Sequence, residues 1–111
     1  MTLEIRVLGR ATADADHIYL WLHQRSPDGA AAWYAAYFNK LCELGDSKSA
    51  SSIAPEAIAL GVDLRQAFFK TRRGRSYRLL FLIAGNELRV LRVRGPGQRP
   101  VTRRDLPSDE T

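Results

Sequence analysis

Hydrophobic and polar positions alternate at the start of the chain and then change their period. Leu3, Ile5 and Val7 are separated by charged residues, and this period of two predicts a first β-strand. From Thr12 the spacing becomes helical, and Thr12 or Asp14 is placed to cap the helix N-terminus with a side-chain oxygen. The pattern therefore predicts a strand followed closely by a helix.

A second helix is predicted to follow after a short turn. Ser26 is a suitable N-cap, and Pro27 suits the first helical position because the N–H that proline lacks has no partner there. The helix carries an apolar stripe at spacings of four, four and three residues, formed by Trp33, Tyr37, Leu41 and Leu44. Gly45 is expected to end it in a left-handed conformation. The two helices are predicted to form a hairpin.

The second half of the chain has the composition of β-strands. A polar loop over 46–52 and one helical turn near Pro55 precede the strands, which are predicted over 62–70, 76–83 and 88–94. Gly85 and Asn86 form a two-residue hairpin signal. The order β-α-α-β-β-β predicts an α+β fold, in which the helical hairpin packs on one face of a mostly antiparallel sheet. The other face of the sheet is expected to be open.

Length and composition indicate one globular domain. The 111 residues are expected to form a single domain, 1–111, in which 100–111 is an irregular and partly mobile tail. With 45% hydrophobic and 26% charged residues, the balance is that of a folded protein. The chain has no apolar run of membrane-spanning length and no secretory pattern at its start, so we expect a cytoplasmic protein without a membrane partner.

The sequence predicts no metal site and no cofactor. One cysteine and two histidines exclude a disulfide framework and a tetrahedral zinc site. The segment Gly95-Pro96-Gly97 lacks the strand-to-helix setting that a phosphate-binding glycine loop requires. Binding chemistry is therefore expected to come from side chains.

Positive charge is concentrated in the second half of the chain. Residues 1–61 contain five Lys or Arg and seven acidic residues, whereas residues 62–111 contain twelve and five, and eleven of the twelve are Arg. Such asymmetry is typical of proteins that bind nucleic acid or acidic protein partners. The alternative is that the arginines only keep a small protein soluble.

Strand periodicity predicts where several arginines point. Arg78 alternates with Tyr77 and Leu79, so it lies on the opposite face if the helices cover these two residues. Arg78 and either Arg92 or Arg94 are then expected to project into the open face of the sheet. Guanidinium groups bind phosphate oxygens in a bidentate fork, so this pocket would attract phosphate. The alternative is that these arginines pair with carboxylates across the sheet.

The same periodicity makes a separate prediction for the last strand. Arg92 and Arg94 are expected to share a face with Leu88 and Val90, and Arg89 is expected on the other face. Both faces of this strand would then mix charged and apolar residues.

Several segments, taken in order, resemble a known family. They are 18–21, 25–27, Trp33, 54–56, 63–65, 70–81 and 90–94. The most specific are the Tyr-Arg-Leu-Leu-Phe strand at 77–81 and the Val-Leu-Arg-Val-Arg strand at 90–94. In this order the segments resemble the RelE/ParE toxins of bacterial type II toxin–antitoxin systems, also called plasmid stabilisation proteins, over about 13–99.

The resemblance implies a toxin that inhibits growth and is neutralised by a cognate antitoxin, expected to be acidic and encoded nearby. RelE-like members cleave mRNA on the ribosome, whereas ParE-like members act on DNA gyrase and need no nuclease site. The tyrosine that nuclease members place near the C-terminus is absent from 95–111. ParE-like inhibition of gyrase is therefore favoured. A RelE-like ribosome-dependent mRNA endonuclease is the alternative, and a non-toxic basic binding domain of the same fold is a further one.

Family residues carry over to a few positions of this chain. Arg78 resembles the active-site arginine of the third strand, and Arg94 or Arg99 resembles the second arginine after the last strand. Arg65 and Lys70 match the basic residues of the second strand more loosely. The other cations expected to bind the nucleic acid or protein target are Arg72, Arg73, Arg75 and Arg92.

Overall fold

Three α-helices and five β-strands make up most of the chain that the structure describes, which covers residues 2–46 and 51–107. The structure is a computed structural model. In chain order the elements are β1 (Glu4–Val7), α1 (Gly9–His23), α2 (Pro27–Gly45), β2 (Ser52–Ile53), α3 (Glu56–Leu60), β3 (Arg65–Phe69), β4 (Tyr77–Ala84), β5 (Glu87–Arg94) and a 3-10 turn (Arg103–Asp105). The fold class is α+β, as predicted, and α3 is the helical turn predicted near Pro55. The predicted order β-α-α-β-β-β lacks β2, a two-residue strand at the end of the predicted loop, which pairs with β3 at the edge of the sheet. Residues 47–50 of the predicted loop and 108–111 of the predicted tail lie outside the described residues.

The strands form one mixed sheet in the order β1-β5-β4-β3-β2. Among the described strands, β1 runs parallel to its neighbour β5, and the other three pairings are antiparallel. The predicted two-residue turn at Gly85 and Asn86 joins β4 to β5, and Gly85 has the positive φ, 61°, that makes glycine favourable there. The predictions of a mostly antiparallel sheet and of this hairpin are confirmed.

Helix α1 begins earlier than predicted. Its first residue is Gly9, its N-cap is Leu8, and no side chain caps it. The prediction that Thr12 or Asp14 would cap the helix is therefore wrong. The chain passes directly from β1 into the helix, so Thr12 already donates its backbone N–H to the Leu8 carbonyl at 3.0 Å.

Helix α2 begins as predicted and ends differently. The Ser26 hydroxyl accepts a hydrogen bond from the Gly29 N–H at 3.0 Å, and Pro27 is the first helical residue. Gly45 is still helical, so its predicted left-handed conformation is wrong. A Cβ at Gly45 would lie 3.2 Å from the Ile5 side chain, so glycine favours the close approach of β1. Neither α2 nor any other helix in the described ranges is long and apolar enough to cross a membrane.

The larger core lies between the helical hairpin and the sheet. The predicted apolar stripe of α2 is buried in it, and the sheet contributes Leu79, Phe81, Leu88, Val90 and Val93. Trp33 and Tyr37 stack with ring centroids 5.5 Å apart, and both rings contact Phe69. The helices therefore cover the face of β4 that carries Tyr77, as predicted.

A second core covers the opposite face of the sheet, so the prediction of an open face is wrong. It consists of Ala54, Ala57, Leu60, Leu64, Leu80, Leu91 and Val101. Helix α3 and the segment after β5 provide this cover, because their small apolar residues pack against β4 and β5. In the tail, expected to be irregular, Val101 and Asp105 are buried and 103–105 form the 3-10 turn.

A β-bulge in β5 changes which residues share a face. Leu80 pairs with Arg92, whereas the next residue, Phe81, pairs with Val90, so Leu91 is an extra residue in the ladder. Val90 therefore packs in the larger core, and Leu91 packs in the second core. The prediction that Arg92 and Arg94 share the face of Leu88 and Val90 is wrong, because the bulge reverses the alternation between them.

Replacing Ser26 with alanine tests the beginning of α2. The variant loses the side-chain acceptor for the Gly29 N–H, and we expect the free energy of unfolding to fall by about 1 kcal/mol. Urea unfolding at neutral pH measures it. Ser76→Ala, at an exposed serine just before β4, is the matched control. Equal losses in the two variants would contradict the capping role.

Candidate functional site

Arg78 and Glu56 form a bidentate ion pair on the second face of the sheet, which is the face that the second core covers. The Arg78 Nη1 donates to Glu56 Oε1 at 3.0 Å, and its Nη2 donates to Oε2 at 2.5 Å. Nη1 also donates to the Gln66 Oε1 at 3.0 Å. The side chains of Arg78 and Glu56 are only 19% and 9% exposed. The guanidinium predicted to bind phosphate is therefore held by a carboxylate.

Glu56 connects three parts of the fold. It is the first residue of α3, it binds Arg78 on β4, and its Oε2 accepts the backbone N–H of Val101 at 3.0 Å. The hydrogen bond from Arg78 is the main cause that lowers the pKa of Glu56 to about 2, although burial opposes it. Glu56 is thus an ionised carboxylate at neutral pH and has no proton to donate as a general acid.

A second ion-pair network surrounds Arg92. Its Nε and Nη2 donate to the two carboxylate oxygens of Asp14 at 2.7 and 2.8 Å, and its Nη1 donates to Asp105. Asp14 also accepts the backbone N–H of Val93 at 2.9 Å. The parallel pairing of β1 with β5 ends at Val90. Asp14 on α1 therefore binds a backbone N–H of β5 that β1 does not reach. Hydrogen bonding to Asp14 is the main cause that raises the pKa of Arg92.

Asp105 connects the tail to this network. Burial alone would raise the pKa of Asp105, but hydrogen bonds from the Thr102 N–H and from Arg92 outweigh burial and lower it. Its Oδ1 lies 3.6 Å from the Nη2 of Arg94. The 3-10 turn is therefore held to β5 through one carboxylate.

Arg94 is the most buried of the predicted site arginines. Its side chain is 5% exposed, and its Nε and Nη2 have no hydrogen-bond partner among the described residues. Burial and the positive charge of Arg92 lower its pKa. Arg94 pairs with Arg78 across the ladder, so two guanidinium groups share this face.

The structure separates the predicted site residues. Arg78, Arg92 and Arg94 share the second face, where carboxylates lie beside all three, as the alternative interpretation of these residues held. Arg65 lies on β3, 3.6 Å from Asp63. The remaining cations are exposed: Lys70, Arg72, Arg73, Arg75 and Arg99. These residues do not converge on one pocket.

Three concave surfaces contact predicted residues, and one of them, of about 490 Å³, is lined by Lys70. A pocket of about 540 Å³ lies over the Arg78–Glu56 pair and is also lined by Pro55, Phe68 and Pro100. A larger cleft of about 810 Å³ lies on the other side of the sheet, where the end of α1 and the start of α2 meet the 71–75 turn and the 95–98 loop. Of the predicted residues, only Arg73 and Arg75 line this cleft.

Sequence reasoning missed this larger cleft. One local signal was present, because Trp21 and Arg25 are four residues apart on a helix and can meet on its surface. In the structure the Arg25 guanidinium carbon lies 3.6 Å from the centroid of the Trp21 ring. The other walls come from distant segments, and no residue spacing relates them.

Comparison with known proteins gives no relative for the chain. No protein-family model, no curated protein and no solved structure matches it. Within residues 2–46 and 51–107, no group of three or more His, Cys, Asp or Glu side chains is placed to hold a metal ion.

Glu56 gives the protein a specific acid sensitivity. Because its folded pKa is about 2, against 4.5 ordinarily, its contribution to stability is complete above pH 4.5 and is lost as the pH falls through 2. This pKa shift corresponds to a contribution of about 3 kcal/mol to the free energy of unfolding. Glu56→Gln should be less stable at neutral pH and should lose correspondingly less stability between pH 4.5 and 2. Urea unfolding across this range measures both effects, with Glu43→Gln, an exposed glutamate paired with Lys40, as control. If the stability of Glu56→Gln fell between pH 4.5 and 2 as steeply as that of the wild type, Glu56 would not be the source of this acid sensitivity.

Asp14 on α1 is expected to stabilise the fold through its hydrogen bonds with β5. Asp14→Ala removes both hydrogen bonds to Arg92 and the acceptor of the Val93 N–H, and we expect a loss of about 2–3 kcal/mol. Asp14→Asn keeps an acceptor and should lose less. Asp16→Ala, at an exposed position of the same helix, should change stability by under about 0.5 kcal/mol. Urea unfolding at neutral pH compares the three variants, and similar losses for Asp14→Ala and Asp16→Ala would refute the role.

Proposed function

We propose that the protein is the toxin of a type II toxin–antitoxin system, and that it inhibits growth in the cytoplasm by binding DNA gyrase rather than by cleaving RNA. The proposal rests on the resemblance to RelE/ParE toxins in the strands at 77–81 and 90–94. The α+β architecture, with a helical hairpin on one face of a mixed sheet, is compatible with it.

The Arg78–Glu56 ion pair is the observation that favours a non-nuclease mechanism. Stabilising a phosphate during cleavage requires a guanidinium that is available to the phosphate oxygens. Arg78 instead donates to both oxygens of Glu56 and to Gln66, and Glu56 is ionised. A phosphate would have to displace a bidentate carboxylate, which costs both the pair and the desolvation of Glu56. Arg78 then acts as a structural residue, and the target contacts other surfaces.

One observation supports the alternative, a ribosome-dependent mRNA endonuclease. The pocket of about 540 Å³ over Arg78 leaves this ion pair accessible from one side. On the ribosome, a nucleotide in this pocket would contact Arg78 directly. The two mechanisms therefore differ in whether toxicity depends on the Arg78 guanidinium.

The cognate antitoxin is proposed to be an acidic protein. Exposed cations cluster in the turn before β4, where Arg72, Arg73 and Arg75 lie within four residues. An acidic segment that covers this turn would neutralise the positive charge that target binding requires.

Inducible expression in a bacterial host tests the proposal. Growth, plasmid supercoiling and mRNA 5′ ends are followed for the wild type and for the double variant Glu56→Gln/Arg78→Gln, which removes both charges and leaves no unpaired ion. We expect growth arrest and loss of supercoiling without new 5′ ends, and a double variant that remains toxic. Purified gyrase supplies a direct supercoiling assay.

Other outcomes distinguish the alternatives. New codon-phased 5′ ends that vanish in the double variant would establish the nuclease and reject the gyrase mechanism. Normal growth with unchanged supercoiling and unchanged 5′ ends would reject toxicity and leave a basic binding domain. Lys40→Gln/Glu43→Gln, at the ion pair of α2, controls for loss of one positive and one negative charge.

A further inference from the structure

The larger cleft has an apolar wall built from aromatic side chains. Trp21, Trp33 and Tyr77 all line it, together with Ile18 and Leu22. Trp21 is 49% exposed, so part of its ring is available to a flat partner beside the Arg25 guanidinium that it already contacts. Aromatic rings and guanidinium planes are the groups against which nucleobases stack.

A buried donor in the same wall has no partner. Trp33 is 2% exposed, and its indole Nε1 makes no hydrogen bond with any described residue. Leaving a buried N–H without an acceptor is unfavourable. Trp33 lines the cleft, so the residue that carries this unpartnered donor forms part of its wall.

The rim of the cleft is positively charged. Arg25, Arg73 and Arg75 line it, and the described lining residues include no Asp or Glu. Arg73 and Arg75 have no carboxylate partner within 2–46 and 51–107, unlike Arg78 and Arg92. The N-terminus of α2, a helix of 19 residues, also borders the cleft at Ser26 and Gly29. Both the guanidinium groups and the helix N-terminus favour an anion.

The loop after β5 closes the remaining side. Gly95 and Pro96 line the cleft. A Cβ at Gly95 would lie 3.0 Å from the Tyr77 ring, so glycine favours the close passage of the loop along the aromatic wall. The loop therefore forms one side of the cleft, and the arginines are the groups that can contact a phosphate.

We propose that this cleft binds a nucleoside phosphate. The base lies against Trp21 and the aromatic wall, and the phosphates contact Arg73 and Arg75. The volume of about 810 Å³ falls in the range of about 300–1,000 Å³ typical of small-molecule sites. A small ligand is favoured over an acidic peptide because an aromatic wall suits the stacking of a base. The proposal is independent of whether the protein is a toxin.

Isothermal titration calorimetry on the full chain tests the proposal, with ATP, GTP, CTP and UTP as probes. Adenosine and inorganic triphosphate separate the two halves of the ligand. Measurements at about 150 mM salt suppress nonspecific charge attraction. The two tryptophans of the chain both line the cleft, so intrinsic fluorescence supplies an independent readout at the site itself. We expect at least one nucleotide to bind with one-to-one stoichiometry and at least about tenfold more tightly than adenosine or triphosphate, a difference that reflects simultaneous recognition of base and phosphate.

The arginine turn offers a matched control. Arg72 precedes Arg73 in the same exposed turn but does not line the cleft. The double variant Arg73→Ala/Arg75→Ala should weaken nucleotide binding at least about tenfold, whereas Arg72→Ala should stay within about twofold of the wild type. Trp21→Leu, at a half-exposed position, should weaken nucleotide binding and leave triphosphate binding unchanged. Circular dichroism checks that each variant is folded.

Four results would overturn the proposal. The first is no binding of any nucleotide up to about 1 mM, where the binding free energy is near −4 kcal/mol. The second is inorganic triphosphate binding as tightly as ATP, which would indicate a site for phosphate alone. The third is an equal loss of affinity in Arg72→Ala and in the Arg73/Arg75 double variant, which would indicate diffuse charge attraction. The fourth is a poly-glutamate peptide that displaces the nucleotide and binds more tightly, which would assign the cleft to an acidic chain.

Discussion

The ion pair between Arg78 and Glu56 is the interaction on which the second face of the sheet depends. A guanidinium this poorly exposed in the middle strand requires a carboxylate, and α3 supplies it at its first residue. The same carboxylate accepts the Val101 N–H and so places the tail over Leu80 and Leu91. The position of α3, the path of the tail and the second core therefore follow from one buried charge and its partner.

That interaction also decides which positive charge is available to a partner. The arginines of the second face are compensated by Glu56, Asp14 and Asp105, and their net contribution to the surface potential is small. Among the described residues, the arginines of the turn before β4 have no carboxylate partner. The excess of positive charge in the second half of the chain thus has two parts: an internal network of ion pairs and an exposed cationic turn.

The helical hairpin and the β4–β5 turn could be predicted because their determinants are local. Ser26 and Pro27 begin a helix through contacts within one turn, and Gly85 forms a hairpin through its own φ angle. The arginine pairing could not be predicted in the same way, since Arg92 and Asp14 are 78 residues apart.

The reversal of faces in β5 escaped prediction for a different reason. The bulge at Leu91 moves the residues that follow it to the opposite face of the sheet. The order of apolar and charged residues in β5 does not mark its position. The cleft likewise depends on separate segments that meet only in the folded chain, so its aromatic wall looked like ordinary core residues. For the candidate site, residue types were therefore predictable, whereas their partners and their grouping were not.

The parallel pairing of β1 with β5 has a consequence for how the chain is made. Glu4 pairs with Glu87, so the first strand has no neighbour in the sheet until the last strand has been synthesised. Until then the apolar residues of β1 and the inner side of α1 lack part of the surface that buries them. Closure of the larger core is thus a late, long-range step, and long-range steps slow folding and prolong exposure to aggregation. A nascent chain of this fold depends on its C-terminal half to protect its N-terminal one.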